Sequence, residues 1–331
     1  MVIRRIKLQS FRSHDGFVLE CNEHTTKIVG RNGCGKTSIL EAIYEAMQGK
    51  SFRAVDREIL RRGDEFYRVE LEYCDGRKVV VVYDGEKKEF LVEDKRTRRL
   101  PKKAKYPIVL FEPDDLNLVG SSPTSRRNYF DRMFGQLSEK YNIALTRYNK
   151  ALKQRNELLK QEVLDTGALF YGNVLLTKYG AELRDEREKY ADDINSQFTK
   201  VYRSIAENED EIELHYITEV KSESSFLAQL ESDFERDRIL GHTSFGVHHD
   251  NYEFIFNNSK ANGSASRGEV RSSVIALNFI EAAMIVDKLG RAPVVLLDDV
   301  FSELDETRQK CLVKNFQENQ VILTSVGEGE L

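Results

Sequence analysis

The chain has 331 residues, 40% hydrophobic and 32% charged, which is enough for two domains or for one large domain carrying an insertion. No apolar run approaches the length of a membrane span and the amino terminus is not signal-like, so neither a membrane anchor nor export is expected and a cytoplasmic location is. A net charge of −5 excludes a protein that coats nucleic acid over its whole surface, yet leaves room for a local basic face.

Val2 to Ser10 alternates like an opening strand, and Thr25 to Val29 reads as a second, short one. Directly after it comes Gly30-Arg31-Asn32-Gly33-Cys34-Gly35-Lys36-Thr37-Ser38, with the G-x-x-x-x-G-K-T spacing of a phosphate-binding loop. Residues 37 to 47 then place Ile39, Leu40, Ile43, Tyr44 and Met47 at helical spacing. Strand, glycine loop and helix are the context that such a motif requires. By chance the pattern arises in about one chain in a hundred of this length, so an ordinary glycine turn is the lesser reading and ATP or GTP binding is expected. The helix N-terminus offers unpaired N–H donors, Lys36 bridges the β- and γ-phosphates, and the Thr37 hydroxyl ligates Mg²⁺. Cys34, a thiol at a helix N-terminus, is expected to alkylate readily and to be protected by nucleotide.

From Val69 to Val92 the pattern is a three-strand meander with turns at Asp75-Gly76 and Asp84-Gly85. Lys95, Arg96, Arg98, Arg99, Lys102, Lys103 and Lys105 follow within eleven residues, as either a solvated loop or a contact for a polyanion. Pro107 to Phe111 is another apolar strand. From Pro123 to about Asn208 a charged, Leu- and Tyr-rich stretch free of further proline reads as a helical lobe, whose tyrosines 141, 148, 171, 179, 190 and 202 are read as packing rather than base-stacking residues. Glu211 to Tyr216 is a strand, Ser224 to Arg238 an amphipathic helix, and Tyr252 to Phe256 a strand. Ser266-Arg267-Gly268-Glu269 then opens a helix reaching about Leu289. Val294 to Leu297 is a buried strand running into Asp298 and Asp299, carboxylates suited to a Mg²⁺ site opposite the phosphate loop. Asp298 is assigned to the metal shell, acting through water, and Asp299 to polarising the attacking water.

In this order the phosphate loop, the S-x-G-E helix start, the strand ending in Asp-Asp, and Ser302-Glu303-Leu304-Asp305 resemble the head of the ABC ATPase superfamily. Within it the chain is similar to the RecF family of bacterial recombination mediators. The resemblance rests on Leu8 to His14, Gly49 to Arg53, Val109 to Leu116, Ser122 to Asp131, Gly246 to Asp250, Ala265 to Arg271 and Leu296 to Asp305. It implies an α/β fold, an ABC-type ATPase head with mixed β-sheets plus an inserted helical lobe with a short antiparallel arm. The head is expected in residues 1–122 and 209–331 and the lobe in 123–208. The resemblance also implies that Ser266, Gly268 and Glu269 of one subunit close over the γ-phosphate held by another, with Ser302 and Asp305 in the D-loop. ATP with Mg²⁺ then acts as the glue of a homodimer that binds duplex, gapped or junction DNA. Slow, weak and DNA-dependent ATP hydrolysis, RecO and RecR as partners, and loading of the RecA recombinase complete the implied picture, in repair, replication-fork maintenance and the SOS response.

Some residues depart from the family pattern. Glu269 stands where glutamine is usual, His249 where arginine is, and Asn251 where aspartate is; Cys34 and Ser38 vary the phosphate loop and its helix. Relative to transporters, Asp299 replaces a glutamate, and Thr324-Ser325 falls where a histidine is usual. A transporter ATPase subunit and a P-loop small-molecule kinase are the alternatives; the first needs its S-x-G segment much nearer the phosphate loop, and the second leaves that segment unexplained. The four cysteines, at 21, 34, 74 and 311, form no CxxC pair and no cluster with metal-ligand spacing, so neither zinc nor a disulfide framework is implied.

Overall fold

The computed structural model describes residues 2–261 and 265–327. Its chain divides into two compact units, residues 1–115 with 281–331, and residues 116–280. Among the described residues no helix is long and apolar enough to cross a membrane.

The first unit opens with strands β1 (Ile3–Phe11), β2 (His14–Glu20) and β3 (Thr25–Val29), then helix α1 (Lys36–Gln48) and the short α2 (Asp56–Ile59). Strands β4 (Tyr67–Tyr73), β5 (Lys78–Tyr83), β6 (Lys88–Val92), β7 (Lys95–Thr97) and β8 (Ile108–Phe111) follow. The second unit holds helices α3 (Pro123–Leu137), α4 (Glu139–Leu159) and α5 (Thr166–Ala206), strand β9 (Ile212–Ile217), helices α6 (Glu223–Ser232) and α7 (Phe234–Leu240), and strands β10 (Asn251–Phe256) and β11 (Ser259–Lys260). Helix α8 (Arg267–Leu289) has residues in both units and leads to β12 (Val294–Leu297), α9 (Glu306–Asn315) and β13 (Val321–Ser325) in the first.

Two sheets build the first unit. One is antiparallel and six-stranded, in the order β2-β1-β4-β5-β6-β7; the other is parallel and four-stranded, in the order β3-β13-β12-β8. Every residue of β8 and β12 is buried, as their continuous apolar runs require in a parallel sheet covered on both faces. Helix α1 is buried without interruption from Ile39 to Met47 and packs against β1, β4, β5 and β13. A helix apolar almost all round belongs inside a core, and Ala42 and Ala46 keep it slim enough to fit there. Its two buried carboxylates are paired. Glu41 accepts two hydrogen bonds from the Arg12 guanidinium at 2.8 and 2.9 Å, and Glu45 accepts from the Tyr67 hydroxyl at 2.7 Å and Lys88 Nζ at 2.9 Å.

In the second unit α4 and α5 form an antiparallel hairpin, as Lys140 with Glu186, Arg147 with Tyr179 and Arg155 with Asn173 meet in descending order. At 41 residues α5 spans about 60 Å. Tyr141, Tyr148, Tyr179, Tyr190 and Tyr202 are buried, which bears out their reading as packing residues; Tyr171 is exposed. The single helix expected over residues 224–238 is two, α6 and α7, separated at Asp233, where the Asp233 amide caps α6 and its carbonyl already accepts from Asp237. Among the described residues three arginines are buried in this unit, Arg126, Arg155 and Arg187, and two of them form ion pairs with buried or partly buried carboxylates. Arg155 pairs with Asp237 at 2.7 Å, and Arg187 with Asp131 and Asp250, each at 2.9 Å.

The cost of these pairs is measurable. Asp237→Ala leaves the Arg155 charge buried without its carboxylate and should lower stability by about 3–5 kcal/mol in urea denaturation. Tyr171→Ala, on exposed surface, should stay within about 0.5 kcal/mol of the parent.

Candidate nucleotide site

The site forms where the parallel sheet ends. Strand β3 runs into residues 30–35, and Gly30 N donates to Ser325 O of β13 at 3.2 Å, fixing the loop to the sheet. Gly33 and Gly35 have φ of +80° and +95°, a region that side-chain-bearing residues rarely enter. At Gly35 a Cβ would also lie 2.5 Å from His14 Nε2 and 2.6 Å from Ser13 Oγ, so the β1–β2 turn presses directly on the loop. Cys34 is exposed, and its sulfur lies against Gly30, where a Cβ would meet it at 2.6 Å.

Lys36 is only 5% exposed; its ammonium donates to Gly30 O at 3.0 Å and Arg31 O at 3.3 Å and lies 3.5 Å from Asp299 Oδ2. The Thr37 hydroxyl donates to Asp298 Oδ1 at 2.9 Å. A second hydroxyl, that of Thr324 on β13, donates to the same oxygen at 2.9 Å and accepts from Asp299 N at 2.8 Å. Burial pushes the Asp298 carboxyl above its ordinary range, opposed by the hydroxyls of Thr37 and Thr324 and by the positive charge of Arg53. Asp299 sits at φ 49°, ψ 19°, and its Oδ1 is buried with no hydrogen-bond partner. Among the described residues the hydroxyl of Thr37, the carboxylate of Asp298 and the orphaned oxygen of Asp299 make a set of hard oxygen donors beside the phosphate loop.

Lys36, Thr37 and Asp299 border a pocket of about 770 Å³, a size suited to a nucleotide. Its lining joins Asn32, Gly33, Gly35 to Ser38 and Asp299 to residues of the β1–β2 turn and of the segment after α2, including Arg12, Arg61 and Arg62. Arg12 is spent on Glu41 and Arg61 pairs with Asp15 at 2.7 Å, while exposed Arg62 makes no ion pair among the described residues. The three arginines and Thr324 are site residues that the motif spacing does not reveal. Only Thr324 left a trace, as a polar residue closing the apolar run Val321-Ile322-Leu323.

Ser302 and Asp305 lie beyond Asp299: Ser302 Oγ donates to Asp299 O at 2.8 Å, and Asp305 caps α9 by accepting from Arg308 N at 2.9 Å. In the second unit Ser266 and Glu269 form a reciprocal cap on α8, with Ser266 N donating to Glu269 Oε2 at 2.6 Å and Glu269 N to Ser266 Oγ at 3.3 Å. Gly268 lies in the first turn of that helix. The basic run is only partly a loop. Lys95, Arg96 and Thr97 form β7 at the edge of the antiparallel sheet; Arg98, Arg99, Lys102 and Lys103 are exposed; and burial, with the like charge of Lys50, pushes the half-buried Lys105 below its ordinary range.

Comparison with known proteins agrees with this geometry. The AAA ATPase domain family matches residues 1–270. The chain is 31% identical over 342 residues to the DNA replication and repair protein RecF of Clostridium acetobutylicum, covering 100% of this chain and 94% of that protein. It is 32% identical over 337 residues to the protein of the same name from Clostridium novyi, covering 99% and 93%. It is similar to a solved structure of the recombination mediator protein RecF with ATP, in the RecFOR pathway, with a TM-score of 0.87, 26% identity, and coverage of 100% of this chain and 93% of that one.

Gly35→Ala places a methyl group in left-handed backbone against His14 and Ser13. In a titration with fluorescent ATP analogue its affinity should fall at least about tenfold, the equivalent of roughly 1.4 kcal/mol lost at the loop.

Proposed function

The chain belongs to the RecF family, and on that premise we propose that it is an ATP-operated switch that holds DNA during recombinational repair and replication-fork maintenance. The observation that carries the reading is the meeting of Lys36, Thr37 and Asp299 at one pocket, with Asp298 bonded to Thr37 beside it, drawn from positions more than 250 residues apart in sequence. Gly30 to Ser38 wrap the phosphates. Lys36, already held over the loop, neutralises charge between the β- and γ-phosphates. Thr37 and Asp298 are the residues that would hold Mg²⁺, which when bound supplies further neutralisation of the phosphate oxygens. Asp299, whose buried oxygen has no partner, orients and polarises the attacking water in this reading.

ATP joins two copies when Ser266 and Gly268 of each engage the γ-phosphate held by the other. Glu269 is compatible with that role because its carboxylate is turned back onto the Ser266 amide. The exposed part of the basic run, from Lys95 to Lys103, then contributes to a surface for duplex, gapped or junction DNA, and slow, weak, DNA-dependent hydrolysis releases it. RecR and RecO are the proposed partners and loading of RecA the outcome, in the cytoplasm at the nucleoid. The transporter alternative falls away, since relatives spanning the whole chain are DNA replication and repair proteins.

Fluorescence anisotropy of labelled duplex and gapped DNA, with mass followed by light scattering, tests the switch. ATP should tighten DNA binding and double the mass. Lys36→Ala should abolish both responses, and Asp299→Asn should keep ATP bound and leave the dimer trapped on a sizing column. No ATP dependence in either signal for the parent protein would overturn the proposal.

Replacing Arg98 and Arg99 by glutamine should reduce the slope of log affinity against log salt by about 1.8 if both contact phosphates of duplex DNA. An unchanged slope would leave them as solvated edge residues.

A further inference from the structure

We propose that Thr324 is the positioning residue of this site, its hydroxyl setting the relative placement of the Asp298 and Asp299 carboxylates. The assignment rests on the nucleotide reading above and names a group that no motif in the chain marks. Thr324 is fully buried and pairs across the parallel sheet with Ile28 of β3, one residue beyond the level at which Leu323 meets Leu297 of β12. A hydroxyl has one proton to give and lone pairs to receive. Here both are used, the proton on Asp298 Oδ1 at 2.9 Å and a lone pair on Asp299 N–H at 2.8 Å.

The second bond decides where Asp299 points. A residue with a Cβ in left-handed backbone loses roughly 1–2 kcal/mol, and such a conformation persists only where its surroundings over-determine it. Thr324 Oγ1 holds the Asp299 amide and Ser302 Oγ holds its carbonyl, so both backbone groups of Asp299 are pinned. With the peptide fixed, the side chain is delivered to within 3.5 Å of Lys36 Nζ and its Oδ1 is left without a partner. The first bond acts on Asp298. Thr37 and Thr324 both donate to Oδ1, which fixes the carboxylate plane and keeps Oδ2 out of those bonds. A valine has the same shape and the same strand preference but neither hydrogen bond.

The test compares the parent protein with Thr324→Val and Thr324→Ser. Affinity for a fluorescent ATP analogue is measured in EDTA and across a Mg²⁺ titration, and kcat and KM for ATP are measured separately. Metal-free affinity should stay within about threefold in all proteins, a check that the fold and the phosphate loop are intact. Thr324→Val should raise the Mg²⁺ midpoint and lower kcat by about 10- to 100-fold with KM little changed, and Thr324→Ser should restore both to within about threefold. If the valine variant is unstable, Thr324→Ala, which removes both the hydroxyl and the γ-methyl, replaces it in the comparison. A hydroxyl-free variant with the parent's Mg²⁺ midpoint and kcat would overturn the assignment; so would a serine variant as impaired as the valine one, which would assign the effect to packing. A parent protein that bound no ATP would instead overturn the nucleotide reading, and this assignment with it.

Discussion

The nucleotide site depends on the level at which four parallel strands stop. Leu297 of β12 is in register with Phe111 of β8 and Leu323 of β13, and Ser325 of β13 with Val29 of β3. The phosphate loop, Thr324 and the Asp298-Asp299 pair therefore leave the sheet at one height and on one edge, the carboxyl edge, where open α/β sheets gather their ligands. The single atom that joins them is Asp298 Oδ1, bonded to hydroxyls from α1 and from β13. A shift of β13 by one residue would turn Thr324 to the opposite face, since strand side chains alternate, and in the direction that replaces it by Leu323 would bring an apolar side chain to a buried carboxylate.

Helix α1 carries that constraint away from the site. Its N-terminus closes the phosphate loop, and about 20 Å further on its C-terminal turn is bonded to the end of the basic segment. There Tyr106 N donates to Met47 O at 3.2 Å, Gln48 Nε2 donates to Tyr106 O at 2.8 Å, and Leu100 lies against Gly49. Between the two ends the helix is fixed laterally by Arg12 to Glu41 and by Tyr67 and Lys88 to Glu45. Burial pushes the Glu45 carboxyl up while Lys88 and Tyr67 oppose it, so the helix meets the antiparallel sheet through strong polar contacts in a dry environment.

The parts of this arrangement that were legible in the sequence are those with a period or a fixed spacing. β3 with its glycine loop, the buried run of β12 and the Asp-Gly turns of the meander all fall where pattern places them, because each is dictated by local geometry. β2 and β7 were not anticipated. The first carries Phe17, Val18 and Leu19 as three consecutive apolar residues, so that its alternation in burial is not visible as an alternation in polarity, and the second lies inside a run of basic residues. The break at Asp233 was hidden because the apolar spacing continues across it. Arg12, Arg61 and Arg62 were illegible for a different reason: they reach the pocket through tertiary placement by the antiparallel sheet and the loop after α2, and no local rule marks a residue delivered that way.

The departures from the family pattern are resolved by geometry rather than by charge. Glu269 occupies a glutamine position, and its carboxylate accepts the Ser266 amide as an amide oxygen would. Asn251 occupies an aspartate position, and its side-chain oxygen accepts from both Nε and a terminal nitrogen of Arg126 at 3.0 and 2.8 Å, as a carboxylate oxygen would. The hydrogen-bond pattern survives in both places while the charge changes by one unit in opposite directions. The two are not equal in cost. The capping segment of Glu269 is solvent-facing, where an added charge is screened, whereas Arg126 is buried, and desolvation, with only Glu253 to oppose it, pushes its guanidinium below its ordinary range. The exchange at Asn251 is therefore the one that the fold has to offset, and it does so with two further carbonyls, those of Val119 and Ser121, turned onto the same arginine.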